Sequence, residues 1–296
     1  FSQGDTLNVR SPNGSGVRVY GGQASDLNDD GALDLAIVNQ DTSDVRVFLN
    51  RADGTASFDP FLTPPTATGD TPSPNESCDM NGDGLMDIVT GDKFGDTVSV
   101  LLGRGDGTFE PGVQYDMGDL PRGLAVFDMD GDGDTDVLSA NANSSNLSVR
   151  LNNGDGTLGP RTSFNGGGSS EWGLASGDMN NDGIIDFVVG AQSSRRLIVW
   201  LGNGDGTFSQ GGTLNGAGRV WMVVLGDING DGNLDVSTSN GVDASGTIAL
   251  GDGSGGLTMK QVQSTGGLVV ATDLGDLDGD GDLDWVMSAF SGGAWT

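Results

Sequence analysis

The sequence predicts an all-β fold built from repeated four-stranded antiparallel units, and three observations predict it. A nine-residue aspartate loop returns six times, starting at Asp26, Asp79, Asp128, Asp178, Asp227 and Asp276, at intervals of 53, 49, 50, 49 and 49 residues. Short β-rich runs such as Asp87-Ile-Val-Thr90 and Asp186-Phe-Val-Val189 leave the loops, and such runs suit strands. A second signal, Gly105-Asp-Gly-Thr-Phe109, Gly154-Asp-Gly-Thr-Leu158 and Gly204-Asp-Gly-Thr-Phe208, has the Asp-Gly chemistry of a hairpin turn. Self-similarity at a period of about 50 residues marks a solenoid or propeller whose units cannot bury their apolar faces alone. The 296 residues therefore read as one repeat domain, 1–296.

The elements are clearest in the fifth repeat. Val220 to Gly226 leads into the loop, Asp235 to Asn240 leaves it, Thr247 to Leu250 follows, and Gly256 to Ser264 completes four strands. Four short antiparallel strands make one blade of a β-propeller. The six units are centred on loops 26–34, 79–87, 128–136, 178–186, 227–235 and 276–284. At the ends, Phe1-Ser-Gln-Gly4 repeats Phe208-Ser-Gln-Gly211 and Thr6-Leu-Asn8 repeats Thr213-Leu-Asn215, while the chain stops at Ala294-Trp-Thr296. The expectation is a six-bladed ring in which an N-terminal strand, residues 1–9, closes the last blade and hides the open edges. A seven-bladed ring is the alternative. Both imply that the natural protein extends before Phe1, after Thr296, or both.

Positions 1, 3, 5 and 9 of every loop are Asp or Asn and position 6 is always Gly. Alternating oxygen donors suit Ca²⁺, a hard cation that takes about six to eight oxygens. The candidate ligands are Asp26, Asn28, Asp30, Ala32 and Asp34 in the first loop, and Asp79, Asn81, Asp83, Leu85 and Asp87 in the second. The third offers Asp128, Asp130, Asp132, Asp134 and Asp136, and the fourth Asp178, Asn180, Asp182, Ile184 and Asp186. The fifth offers Asp227, Asn229, Asp231, Asn233 and Asp235, and the sixth Asp276, Asp278, Asp280, Asp282 and Asp284. Position 7 would bind through its main-chain carbonyl, which explains why its side chain varies. The glycine at position 6 allows the sharp reversal at φ > 0. An EF-hand begins similarly but needs Glu at position 12; in this chain that position holds Ile37, Thr90, Ser139, Val189, Thr238 and Met287. One such loop would pass as an ordinary tight turn. Six in phase, with carboxylates close enough to repel, point to up to six Ca²⁺.

The formal net charge is −29, yet 23 of the 42 acids and none of the 13 bases lie in the six loops. The charge is thus largely a property of the metal loops, and nucleic acid is a poor partner for such a surface. No long apolar run inserts into a membrane. Cys78 stands alone and reads as a small packed residue, neither disulfide nor nucleophile. Weak oxygen-only calcium sites fill best at millimolar calcium, which places the protein outside the cell.

Together, the DxNGDGxxD loops between strands, the apolar strand after them and the GDGTF hairpins resemble the FG-GAP/VCBS repeats of integrin-α-like β-propellers. The resemblance covers essentially the whole chain and implies calcium in all six loops. It leaves function open, because such propellers serve as adhesins, lectins and surface proteins and accompany polysaccharide-degrading enzymes.

Recognition is expected on the face opposite the loops. The sixth residue before each loop is Tyr20, Ser73, Arg122, Trp172, Trp221 or Val270. In a closed ring these six would surround the axial entrance, where aromatics could stack on sugars and Arg grip an acid. Alternatively they fill the crevices between blades. Lys93, Phe94, Arg195 and Arg196 join them from the loops between second and third strands. Arg104-Gly-Asp106 spells an integrin-recognition tripeptide in a hairpin where the turn alone explains Gly and Asp. The leading expectation is an extracellular calcium-stabilised module that binds a glycan or protein in adhesion. A structural subunit of a fibre or larger assembly is the alternative. Polysaccharide lyase or hydrolase activity, or a role accompanying it, comes third. The chain is expected not to be an enzyme, since it lacks His and offers only Glu171, beside Trp172, as an acid–base candidate.

Overall fold

The computed structural model describes residues 7–10, 18–55 and 57–290. Strands β1 (Val19–Ser25), β2 (Asp34–Asn39), β3 (Asp44–Phe48) and β4 (Thr66–Ala67) form the first sheet, and β5 (Pro72–Cys78), β6 (Asp87–Asp92), β7 (Thr97–Leu101) and β8 (Val113–Asp116) the second. The third holds β9 (Pro121–Phe127), β10 (Asp136–Asn141), β11 (Asn146–Arg150) and β12 (Thr162–Asn165). The fourth holds β13 (Glu171–Gly177), β14 (Asp186–Ala191), β15 (Arg196–Gly202) and β16 (Phe208–Asn215). The fifth holds β17 (Met222–Gly226), β18 (Asp235–Asn240), β19 (Ser245–Gly251) and β20 (Leu257–Ser264), and the sixth only β21 (Leu268–Gly275) and β22 (Asp284–Phe290). In all six sheets the strands are antiparallel and follow chain order. The all-β repeat architecture is therefore observed, with strands of the fifth repeat within two residues of their expected bounds. The expected closing strand falls mostly on residues 1–6, outside the described residues, as do 291–296. Residues 7–9 are described and carry no strand; Arg46 of β3 donates a hydrogen bond to the Val9 carbonyl.

Burial explains why each sheet stands where it does. The first strands lie side by side in chain order, β1 beside β5, then β9, β13, β17 and β21. Every residue of β6, β10, β14 and β18 is buried, whereas β20 is exposed along nearly its whole length. The second strand is thus covered on both faces by neighbouring sheets. Its sequence, such as Asp186-Phe-Val-Val-Gly-Ala191, accordingly lacks a polar alternation. Core clusters lie between consecutive sheets: Leu138, Leu147 and Met129 of the third repeat pack against Phe187, Val189 and Ile198 of the fourth. Val188, Leu197 and Val199 pack in turn against Val220, Val223 and Val236 of the fifth. Neither half of such a cluster is complete within one repeat.

The side-by-side approach of first strands is tight enough to require glycine. A Cβ on Gly21 would lie 2.7 Å from the Ser73 carbonyl oxygen, on Gly123 2.5 Å from that of Trp172, and on Gly173 3.0 Å from the Met222 backbone. All three glycines occupy the fifth place before a loop. Immediately before them the pairing slips by one residue: Val19 pairs Asn39 and Gly21 pairs Val38, Pro121 pairs Asn141 and Gly123 pairs Ala140, Glu171 pairs Ala191 and Gly173 pairs Gly190. The same slip separates Val269 from Ala271. Tyr20, Arg122, Trp172 and Val270 are therefore the extra residues of recurrent β-bulges, a device that re-aims a side chain.

At the far end of the second strand a polar knot recurs. Asn141 donates to Asn146 and Ser148, both at 2.9 Å, and Asn240 donates to Thr247 at 2.9 Å. In the second repeat the equivalent residue is Asp92, fully buried, accepting from Thr90, Thr97 and Ser99 at 2.9, 2.9 and 2.6 Å. Burial raises its pKa to about 6, partly opposed by those hydroxyls.

Two outcomes are expected. Gly123→Ala should cost about 1–3 kcal/mol in urea unfolding, because strands β9 and β13 must separate to admit the methyl. Asp92 has a folded pKa above its ordinary carboxylate value of 3.8, so the native state holds the proton more tightly and stability falls as pH rises from there to about 6. Asp92→Asn should remove that slope; its stability relative to wild type should grow across the window and level off above it.

Candidate functional site

The six loops share one hydrogen-bonded frame. Position 6 turns through φ of 86, 85, 94, 85, 87 and 95° at Gly31, Gly84, Gly133, Gly183, Gly232 and Gly281, and each of these N–H groups donates to the position 1 carboxylate at 2.8–3.0 Å. The position 7 N–H donates to the position 5 carboxylate in every loop, from Ala32 to Asp282. Where position 3 is Asn, its amide donates to the position 5 carboxylate at 2.8–3.0 Å. These bonds aim the side-chain oxygens of positions 1, 3 and 5 around one point. In two loops three carboxylates converge: one oxygen from each of Asp128, Asp130 and Asp136 lies within 4.8 Å of the others, and likewise for Asp276, Asp278 and Asp280. These are the two loops with five acids. Such oxygen-only clusters fit a hard divalent cation.

Position 9 is held by the backbone. Asp34, Asp87, Asp136, Asp186 and Asp235 are all fully buried. One oxygen of each accepts from the position 2 N–H of its own loop, and the other from an N–H at the end of the third strand, as at Met179 and Gly202 for Asp186, both 2.8 Å. The same pair of bonds recurs at Asp34, Asp87, Asp136 and Asp235. Burial raises the pKa of these five aspartates and the backbone donors oppose it.

Two features of the loops lie outside the pattern of acids and the position 6 glycine. Position 4 also has positive φ throughout, from 57° at Asp29 to 81° at Gly279, which its restriction to Gly, Asn and Asp would have signalled. Position 2 is apolar in all six loops, and Leu27, Met80, Met129 and Met179 are buried in the clusters between sheets. Their carbonyls tie each loop to the next repeat. Leu27 accepts from Gly107, Met129 from Gly206 and Met179 from Gly255, at 2.9, 2.9 and 3.1 Å, and Met80 accepts from the Asn152 side chain at 2.7 Å. Hairpins of this kind number five among the described residues, since Asp53-Gly-Thr55 and Asp252-Gly-Ser254 make the same internal bonds as the three with the full Gly-Asp-Gly-Thr sequence.

On the opposite face the bulged Arg122 and Trp172 meet Trp221. Trp172 and Trp221 stack with ring centroids 5.2 Å apart and planes 24° apart, and the Arg122 guanidinium lies over the other face of this pair, 4.3 Å from the Trp172 centroid. Gly241 abuts the Trp221 ring so closely that a Cβ would lie 2.2 Å from it. The indole faces are therefore covered. Burial lowers the pKa of Arg122, while Tyr20, hydrogen-bonded to it, opposes that shift. Ser73 is buried, and Val270 is partly exposed. The Lys93 ammonium sits 4.3 Å over the Phe94 ring. Arg195 instead pairs with Asp243 at 3.3 Å, and Arg196 reaches the Gly167 carbonyl. Glu171 is fully buried and accepts from Gly168, away from any substrate. Arg104 pairs with Glu110 through two 2.9 Å bonds and Asp106 accepts from Thr108, so the tripeptide is engaged within its own hairpin. The Cys78 thiol is free and is pushed up to about 12, chiefly by burial. Among the described residues no helix is long and apolar enough to cross a membrane.

The family model described as FG-GAP-like repeat matches residues 26–90, 79–139, 128–189 and 178–238. No curated protein sequence matches. Among solved structures, an Agrocybe aegerita lectin that recognises non-reducing terminal N-acetylglucosamine is 22% identical, with a TM-score of 0.60 over 90% of this chain and 74% of its own. The V. cholerae biofilm matrix protein Bap1 is 17% identical, with a TM-score of 0.52 over 92% of this chain and 43% of its own. A Bacteroides uniformis protein described as a candidate 6-phosphogluconolactonase is 14% identical, with a TM-score of 0.68 over 89% of this chain and 76% of its own. These likenesses show the fold alone. The third nonetheless corrects the expectation that the chain is not an enzyme: its fold is shared with a protein described as one, so the architecture gives no ground for that exclusion.

Asp186→Ala would leave the buried N–H groups of Met179 and Gly202 unpaired, at about 1–3 kcal/mol each. It should destabilise the protein with chelator as well as with calcium. Asp182→Ala, at position 5, should destabilise only when calcium is present, which thermal melts under both conditions will distinguish.

Proposed function

We propose that this chain, which belongs to the FG-GAP-like repeat family, is an extracellular, calcium-stabilised propeller that presents a binding face for a glycan or protein ligand. The observation that carries this reading is the double role of the loops. Each gathers oxygens around a cation position, and the first four also hold the hairpin segment of the next repeat through position 2. A cation drawing positions 1, 3, 5 and 9 together would fix not only its own loop but the angle between neighbouring sheets. Up to six Ca²⁺ would offset carboxylate repulsion that otherwise opposes folding. Millimolar extracellular calcium is the setting in which such sites fill. The six repeats would close as a ring, with the N-terminal segment completing the last blade.

The loop face is then committed to architecture, and recognition falls to the opposite face, where bulges in the first, third and fourth repeats bring side chains together with Trp221 of the fifth. The lectin among the similar structures supports a glycan as ligand. The biofilm matrix protein supports the second reading, a structural subunit in an extracellular assembly, in which the same face would contact a neighbouring protein.

Calcium removal gives the first test. A site held a hundredfold above its Kd adds about 2.7 kcal/mol, and 1 kcal/mol moves Tm by about 2–4 °C in a domain of this size. Chelation should therefore lower Tm by about 10 °C or more in a calorimetric scan; an unchanged melt would remove calcium from the proposal. For the binding role, the calcium-loaded protein is presented to arrays of glycans and matrix proteins. Binding lost in Trp172→Ala and kept in Arg104→Ala would support the axial face, whereas silence from a folded, calcium-loaded protein would favour the structural role.

A further inference from the structure

We propose that the axial face holds a site for a single carboxylate carried on an otherwise neutral saccharide, with Arg122 and Lys93 as its two cations. This rests on the reading of that face as the binding face and adds the chemistry of what it binds.

The first ground is the way positive charge is distributed. The chain has 13 basic residues against 42 acids, so a cation can readily find an acid. On this face three do: Arg18 pairs with Asp41 at 2.7 Å, and Arg195 and Arg219 share Asp243 at 3.3 and 3.7 Å. Arg122 and Lys93 form no ion pair among the described residues. They also influence one another. The Lys93 ammonium is held below its ordinary range by burial first, then by the charges of Arg122 and Arg18. Two neighbouring cations without an acid are costly in the free protein and become favourable when an anion lies between them.

The second ground is that the fold positions Arg122 rigidly. Arg122 is the extra residue of a β-bulge, and its guanidinium is pinned against the Trp172–Trp221 stack. It reaches from the third repeat to Tyr20 of the first, passing the second repeat, where the equivalent residue is the small Ser73. The Arg122 Nε and the Ser73 hydroxyl are both buried without a hydrogen-bond partner. A planar guanidinium held in place with an unspent donor matches the two oxygens of a carboxylate better than a point charge would.

The third ground decides what carries the carboxylate. The indole faces are closed by Arg122, by each other and by Gly241, so they cannot take a flat ring. Tyr20 and Phe94 remain 52% and 60% exposed, and they offer rings beside the cations for the C–H face of a pyranose. A peptide would be expected to use a free strand edge, but each first strand that enters this face is paired along one edge with its second strand and lies beside the first strand of a neighbouring repeat. Arg18, Arg195 and Arg219 are already neutralised by Asp41 and Asp243, so few cations are left for a polyanion, and one carboxylate on an otherwise neutral glycan suits the remaining pair.

The test titrates the calcium-loaded full chain by calorimetry with sialyl-lactose and glucuronyl-lactose, each also with its carboxyl reduced to the alcohol. Lactose, sulfated lactose and an Asp-containing hexapeptide complete the set. At least one carboxylated saccharide should bind, and reduction of its carboxyl should weaken it about tenfold or more. Arg122→Gln should show the same loss with Tm unchanged, and Lys93→Gln a smaller one. The inference is overturned if the reduced saccharides bind as well as their parents, if the sulfated sugar or the peptide is preferred, or if wild type binds neither carboxylated saccharide. In the case where lactose binds wild type and Arg122→Gln alike, the carboxylate site fails while the recognition module stands; if nothing binds, both fall.

Discussion

Everything in this structure leans on one buried carboxylate, repeated. The aspartate closing each of the first five loops has no solvent to stabilise its charge and instead accepts a backbone N–H on each oxygen, one from the start of its loop and one from the end of the third strand. These bonds clamp three strands of a sheet to the loop that joins two of them. Because the position 2 residue that donates the first bond is itself buried between sheets, and its carbonyl holds the next hairpin, the clamp is transmitted from one repeat to the next. A single residue type thereby sets loop shape, sheet registry and the spacing between sheets.

That arrangement divides labour between the two faces. The loop face is saturated with internal bonds, glycines at positive φ and oxygens converging on cation positions, and little is free there to recognise a partner. The other face begins where the first strands crowd together. Close approach demands glycine, the glycine is preceded by a bulge, and the bulge throws its extra side chain out of the sheet. The aromatic and cationic stack is thus a consequence of how first strands pack side by side, which is also why it draws residues from several repeats. Recognition chemistry of this sort can vary without disturbing the clamp on the far side.

Particular residues show how far sequence carries. The loops, the hairpins and the four-strand order of each repeat were legible because they depend on local rules: oxygen donors at alternate places, glycine where φ must be positive, short β-rich runs between turns. Position 4 was equally legible through its restriction to Gly, Asn and Asp, and the apolar position 2 through its constancy, although both are easily passed over beside the acids. The Trp172–Trp221 stack was half legible. Its members could be placed at one level by counting from the loops, but the closed indole faces could not, because they depend on Gly241 closing in from beyond the second strand of its repeat and on Arg122 arriving from the third repeat.

By itself, then, the sequence determined the repeat, the secondary structure within it and the chemistry of the loops, since each is settled by residues close along the chain. Only the tertiary structure decided which cations are paired and which are left alone, that Glu171 is sealed away, that Arg195 turns to Asp243, and that position 9 spends both oxygens on backbone donors. Those outcomes depend on distances between segments some 15 to 50 residues apart or more, and such distances are fixed by how sheets pack against one another, which no local pattern of residues specifies.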